Sequence, residues 1–162
     1  MFAGFLLFGC MSKTLRNIVA IATTGLVWYV ALQLFFVWSG AQNILGNPAR
    51  QSSKFIKAFT EYEPLPLMAT DSSIVWKGLM VVGAFLAIAF LLVNPGLKGG
   101  WLRKGLLFGL VHWMIMTPWF EFYLPYNVMR EPFPLVLMEC GLWLCVALVT
   151  GVYLSVVVNF KK

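Results

Sequence analysis

Residues 133–160 read FPLVLMECGLWLCVALVTGVYLSVVVNF, a run of 28 residues with one charged side chain, Glu139. A helix crosses a bilayer when about 20 mostly apolar residues follow one another, because hydrocarbon offers the backbone no other hydrogen-bond partners. This run is longer than a bilayer requires, so it predicts a crossing helix that tilts or protrudes. Working back along the chain, three more stretches meet the same requirement, at about 18–38, 74–93 and 105–123. Asn94-Pro95-Gly96 ends the second of these, since proline cannot continue a helix and glycine relaxes the exit. The whole chain agrees with this reading. It has 162 residues, of which 60% are hydrophobic and 11% charged, against about 25% charged in a soluble domain. The expectation is all-α: a polytopic membrane protein, a four-helix bundle forming one membrane domain over residues 1–162.

The charges then orient the spans. One side collects Lys13, Arg16, Lys98, Arg103, Lys104, Lys161 and Lys162 without an acid. The other mixes Arg50, Lys54, Lys57, Lys77 and Arg130 with Glu61, Glu63, Asp71 and Glu131. The acid-free basic side is expected to be cytoplasmic, which puts both termini there. Trp38, Trp76, Trp119, Tyr123 and Tyr126 then fall near the outer interface, and Trp101, Tyr153 and Phe160 near the inner one. The net charge of +6 is spread over the ends of apolar runs and forms no stripe, which argues against a nucleic-acid partner. Residues Met1–Met11 are too short to span and lack a basic lead, so a start at Met11, running through Lys13 and Arg16 into the first span, is the simpler expectation.

The outer loop, 39–73, carries helical spacing at Phe55, Phe59 and Tyr62, with Lys54, Lys57 and Glu61 turned elsewhere. A short amphipathic helix is expected there, begun by Asn47-Pro48 and stopped by Pro64 and Pro66.

An ionisable group in hydrocarbon is costly and demands an explanation. The third and fourth spans hold His112, Glu121 and Glu139. Glu121 falls in the last turn of its span, and Glu139 lies roughly 8–10 Å below the start of the next. A short connection joins these spans, so Glu121, Arg130, Glu131 and Glu139 are the candidate lining of an outward-facing pocket. The alternative is that Arg130, Lys77, Trp119 or a hydroxyl ties Glu139 into the packing. His112 stands nine residues from Glu121, on the opposite helix face, so a proton relay between them is not expected. The better reading is a packed histidine bonded to a neighbouring helix. As the sole histidine it cannot supply two axial haem ligands, and no metal-ligand spacing or cofactor motif is present. Cys140 and Cys145 point about 140° apart on a helix and cannot pair with each other. Pro118 removes a backbone bond to Met114 and predicts a kink. Gly105 and Gly109 form a GxxxG, a device for close helix approach.

Two stretches carry a resemblance: Phe59-Thr60-Glu61-Tyr62-Glu63-Pro64-Leu65-Pro66, and Trp119 to Val128 followed by Arg130-Glu131-Pro132. With the four-span plan, the chain resembles small four-span proteins of the bacterial inner membrane that have no assigned activity. The resemblance covers most of the chain after residue 16 and implies an architecture and that location, with no catalytic residues to carry over. The leading functional expectation is an accessory, assembly or scaffold subunit, partnered by the bilayer and by other membrane subunits or copies of itself. The runner-up is a small carrier or receptor for a lipophilic or cationic ligand in the outer pocket. An enzyme ranks third, because no nucleophile–base pair, metal spacing or phosphate loop is present.

Overall fold

The computed structural model describes residues 11–71 and 73–159. The expected start at Met11 concerns residues before this range, and Phe160, Lys161 and Lys162 also lie outside it. Among the described residues all regular structure is helical. Four long rods dominate. The first is α1 (Lys13–Leu32) continued by a π-helical stretch, π1 (Gln33–Trp38). Three short helices follow, α2 (Ala41–Leu45), α3 (Ser53–Thr60) and α4 (Leu67–Thr70). The second rod is α5 (Ser73–Val93), closed by the 3-10 turn Asn94–Gly96. The third is α6 (Trp101–Thr117) continued by π2 (Pro118–Val128), and the fourth is α7 (Phe133–Asn159).

Three stretches are long and apolar enough to cross a membrane: Lys13–Trp38, Ser73–Gly96 and Phe133–Asn159. The third rod falls short of the same measure, because His112, Pro118 and Glu121 dilute its apolar run.

The rods pack in the order α5–α1–α7–α6. Two glycine seams set their spacing. Along α6 and α7, a Cβ on Gly105 would stand 2.6 Å from Val152 Cα and one on Gly109 2.5 Å from Ala147 O, while Gly151 faces both glycines from the α7 side. The GxxxG is thus used inside the chain. Along α1 and α5, Gly83 sits directly against the Gly25 backbone. The row of four closes on itself where Phe90 of α5 meets Phe108 of α6 edge-on, 5.1 Å apart, within a core that includes Ala20, Ala87 and Leu154.

The rods define two ends. The termini end holds the start of α1 and the finish of α7. The loop end holds residues 39–71 and the connection 129–132. At the termini end, Asn94 and Asn159 exchange side-chain hydrogen bonds of 2.9 and 3.0 Å, and Lys104 Nζ donates to the Asn94 carbonyl at 3.2 Å. Asn159 also donates to Ser155 Oγ at 3.1 Å, and Thr23 meets the Tyr153 hydroxyl nearby. These bonds join α1, α5, α6 and α7.

At the loop end the expected helix start at Asn47-Pro48 is a turn instead. Asn47 Oδ1 accepts from the Ala49 N–H at 3.0 Å and its carbonyl from the Arg50 N–H at 2.9 Å. The helix begins at Ser53, capped by the Ser52 hydroxyl, which accepts the Phe55 N–H at 3.0 Å. It ends at Thr60, so Phe55 and Phe59 stack at 5.0 Å while Tyr62 lies beyond it, exposed. At the start of α5, the Asp71 carboxylate accepts from the N–H and hydroxyl of Ser73, both at 2.9 Å, which holds its pKa below the usual range.

Candidate functional site

The loop end is shaped by prolines. In an α-helix the carbonyls of Met114 and Glu121 would look to residues 118 and 125 for a donor, and both are prolines without one. Winding the chain so that each carbonyl bonds five residues ahead steps over the gap. Pro118 therefore marks a change from α to π winding, and Met129 N–H reaches Leu124 O at 2.9 Å with that wider spacing. The third rod in consequence runs to Val128, five residues past its expected end at 123. Glu121 lies well inside it rather than in its last turn.

Glu139, one turn and a half into α7, faces this π segment. Its carboxylate is half-buried and neighbours those of Glu121 and Glu131. Beside the pair stands the Trp143 indole, one turn further along α7, whose N–H is buried and makes no hydrogen bond of regular geometry. Two bonds fix the helices around the pair. Trp113 Nε1 donates to the Cys140 carbonyl at 2.9 Å, and the Cys140 thiol donates to the Glu121 carbonyl at 3.8 Å. Cys140 and Cys145 are both free thiols.

Glu131 is 7% exposed, a buried acid outside any long helix. Its Oε1 accepts the Ser52 N–H at 3.0 Å, while the Ser52 hydroxyl donates to the Met129 carbonyl at 2.6 Å. One serine thus caps α3 and pins it to the connection between π2 and α7. Between them opens a cavity of about 230 Å3, bordered by Glu131, Glu139, Gln42, Gln51, Phe36 and Phe55.

No cation answers these acids. Among the described residues the one ion pair is Lys57–Glu61 at 3.6 Å, on the exposed face of α3 and its exit. Arg130 does not join the pocket. It adopts a left-handed turn, φ 60°, which carries its side chain into an exposed position away from its neighbour Glu131. Lys77, Trp119 and the nearby hydroxyls make no bond to Glu139 either. Among the described residues no three His, Cys, Asp or Glu side chains are grouped to hold a metal ion.

The structure thus brings Glu121, Glu131 and Glu139 together and leaves Arg130 out. His112 belongs elsewhere: it sits on α6 with its ring edge-on to Trp28, centroids 6.1 Å apart at 83°. The hydrogen bond expected from it to a neighbouring helix is absent among the described residues. The cavity and the bonds beside it also involve residues outside the sequence expectation. Trp143 was readable, four residues from Glu139 on the same helix face. Ser52 was readable as a cap ahead of Phe55 and Phe59. Gln42, Gln51 and Phe36 carry no signal in the sequence, since only the folded loop brings them to α7.

No protein-family model, curated protein or solved structure matches this chain.

Proposed function

We propose that this is an integral membrane protein whose four rods cross the bilayer, and that its loop-end pocket binds a small lipophilic cation. The observation that carries the second part is a cavity bordered by Glu131 and Glu139, with Glu121 beside Glu139 and, among the described residues, no cation paired to any of the three. Carboxylates taken out of water need a compensating charge, and organic ammonium groups supply it while the aromatic walls take the apolar remainder.

Support for a fourth crossing comes from packing. The third rod runs beside α7 from the Gly105–Val152 contact to the Cys140–Glu121 contact. A partner so aligned with a crossing helix shares its depth. The orientation proposed is loop end outward and termini in the cytoplasm, of a bacterial inner membrane as the resemblance implies. The basic, acid-free set Lys13, Lys98, Arg103 and Lys104 supports it. So do Trp38, Trp76 and Trp119, exposed around the loop end in the manner of an interfacial belt.

A second reading, an accessory or assembly subunit, draws on the exposed apolar face of α5 at Val81, Phe85 and Leu92. It ranks behind because lipid covers such a face equally well and because the GxxxG is already filled from within the chain. The test is a titration of benzyltrimethylammonium into the purified protein in lipid nanodiscs, read by calorimetry. Saturable binding that Glu139→Gln weakens at least about tenfold supports the pocket. Equal affinity in the variant, or none in the wild type, removes it.

A further inference from the structure

α5 and α6 are the two ends of the helix row, and they meet at Phe90 and Phe108 with open space alongside that contact. The gap between them is a cleft of about 280 Å3, walled by Leu86 and Val93 on one side and by Val111, His112 and Ile115 on the other. Its mouth faces sideways, toward the surrounding lipid: Val93, Val111 and Ile115 are 46%, 44% and 70% exposed. Every lining residue is apolar but one.

That one is His112. A neutral imidazole carries one N–H donor and one bare nitrogen acceptor. Among the described residues neither has a hydrogen-bond partner: the ring stands perpendicular to Trp28, and although it borders a small second cavity with Thr117, Trp143 and Thr150, it makes no hydrogen bond to any of them. In hydrocarbon such a group is costly to keep unpaired. The walls hold no charged side chain, so the cleft suits neither the cation proposed for the loop end nor an acid, which would require an imidazolium deep among apolar walls. A neutral oxygen meets the need from either side: a carbonyl accepts from the imidazole N–H, and a hydroxyl donates to its bare nitrogen.

We propose that the α5–α6 cleft is a second, lateral binding site for a neutral membrane lipophile that presents one carbonyl or hydroxyl oxygen to His112. At about 280 Å3 the cleft holds the head of such a molecule, and its tail leaves through the open side into the bilayer. The site shares the membrane-crossing reading with the loop-end pocket but none of that pocket's residues, so either stands if the other fails.

His112 is the sole histidine of the chain, which gives a direct probe. Protein bearing ring-15N histidine and a tag free of histidine shows a single imidazole, placed in nanodiscs and titrated with decyl-1,4-benzoquinone, 4-decylphenol and decylbenzene. The expected result is a saturable 15N shift with at least one oxygen-bearing probe, with affinity at least about fivefold above decylbenzene, the worth of one net hydrogen bond. A shift at the protonated nitrogen with the quinone assigns a carbonyl ligand, and one at the bare nitrogen with the phenol assigns a hydroxyl. Val111→Trp combined with Ile115→Trp fills the mouth from exposed positions and should abolish the shift. Absence of a saturable shift with both oxygen probes, or a response to decylbenzene as strong as theirs, overturns the proposal. A full response in the filled-mouth variant does so too.

Discussion

At the termini end of the bundle, Asn94, Ser155, Asn159 and Lys104 satisfy one another at 3.4 Å or less. At the loop end, Glu139 neighbours both Glu121 and Glu131, and among the described residues no cation pairs with any of the three. Both sets are polar groups at the ends of apolar rods, yet they behave oppositely. A polar network in a low-dielectric interior stabilises when every member is bonded and costs free energy when members are left open. The first set therefore serves as a latch. The second, in which Glu131 is bonded to Ser52 but no acid meets a cation among the described residues, is expected to cost stability. The backbone repeats the contrast. Glycine seams and regular α winding hold the lower bundle tight, while both rods that enter the loop end from below, α1 and α6, finish in π winding.

The comparison breaks most severely at the tight end. Gly151→Val puts a branched side chain against the backbones of Gly105 and Gly109. The expected loss is about 3 kcal/mol, a fall in Tm of roughly 5–10 °C in thermal unfolding of the detergent-solubilised protein. Asn159→Ala removes both bonds between the Asn94 and Asn159 side chains and is expected to cost about 1 kcal/mol by the same measurement. At the open end, Ser52→Ala deletes the cap of α3 and the tie to Met129. Its expected cost of about 1 kcal/mol is local, so amide exchange at Phe55 should quicken by roughly fivefold while Tm changes little. Smallest is Arg130→Gly. Glycine accepts φ 60° without strain and the guanidinium has no partner to lose, so Tm should hold or rise slightly, whereas Arg130→Val should lower it.

Much of the lower bundle is legible in the sequence, because helices long and apolar enough to cross a membrane announce themselves by length and apolarity alone. The reading of the run at 133–160 rests on that, and the structure carries α7 from Phe133 to Asn159. Gly105 and Gly109 were legible as a close-approach pair because both lie on one helix. Gly25 and Gly83 are not, since neither has a second glycine four residues away in its own helix and the pair gains meaning only when the two meet. The site was half legible. Glu121, Glu131 and Glu139 stood out as acids beside apolar runs. Arg130 adjoins Glu131 in sequence but lies exposed in a left-handed turn and does not border the cavity, which adjacency in sequence does not reveal. Pro118 was read as a kink, while the second proline at 125 extends its effect into eleven residues of π winding.

The most direct test of the contrast is the thermal stability of Glu139→Gln beside wild type, without added ligand. Removing an acid from a trio that meets no cation among the described residues relieves repulsion and desolvation, so a Tm equal to or above wild type is expected. A fall of 5 °C or more would mean that Glu139 is a structural latch like Asn159, and the distinction between the two ends would be lost.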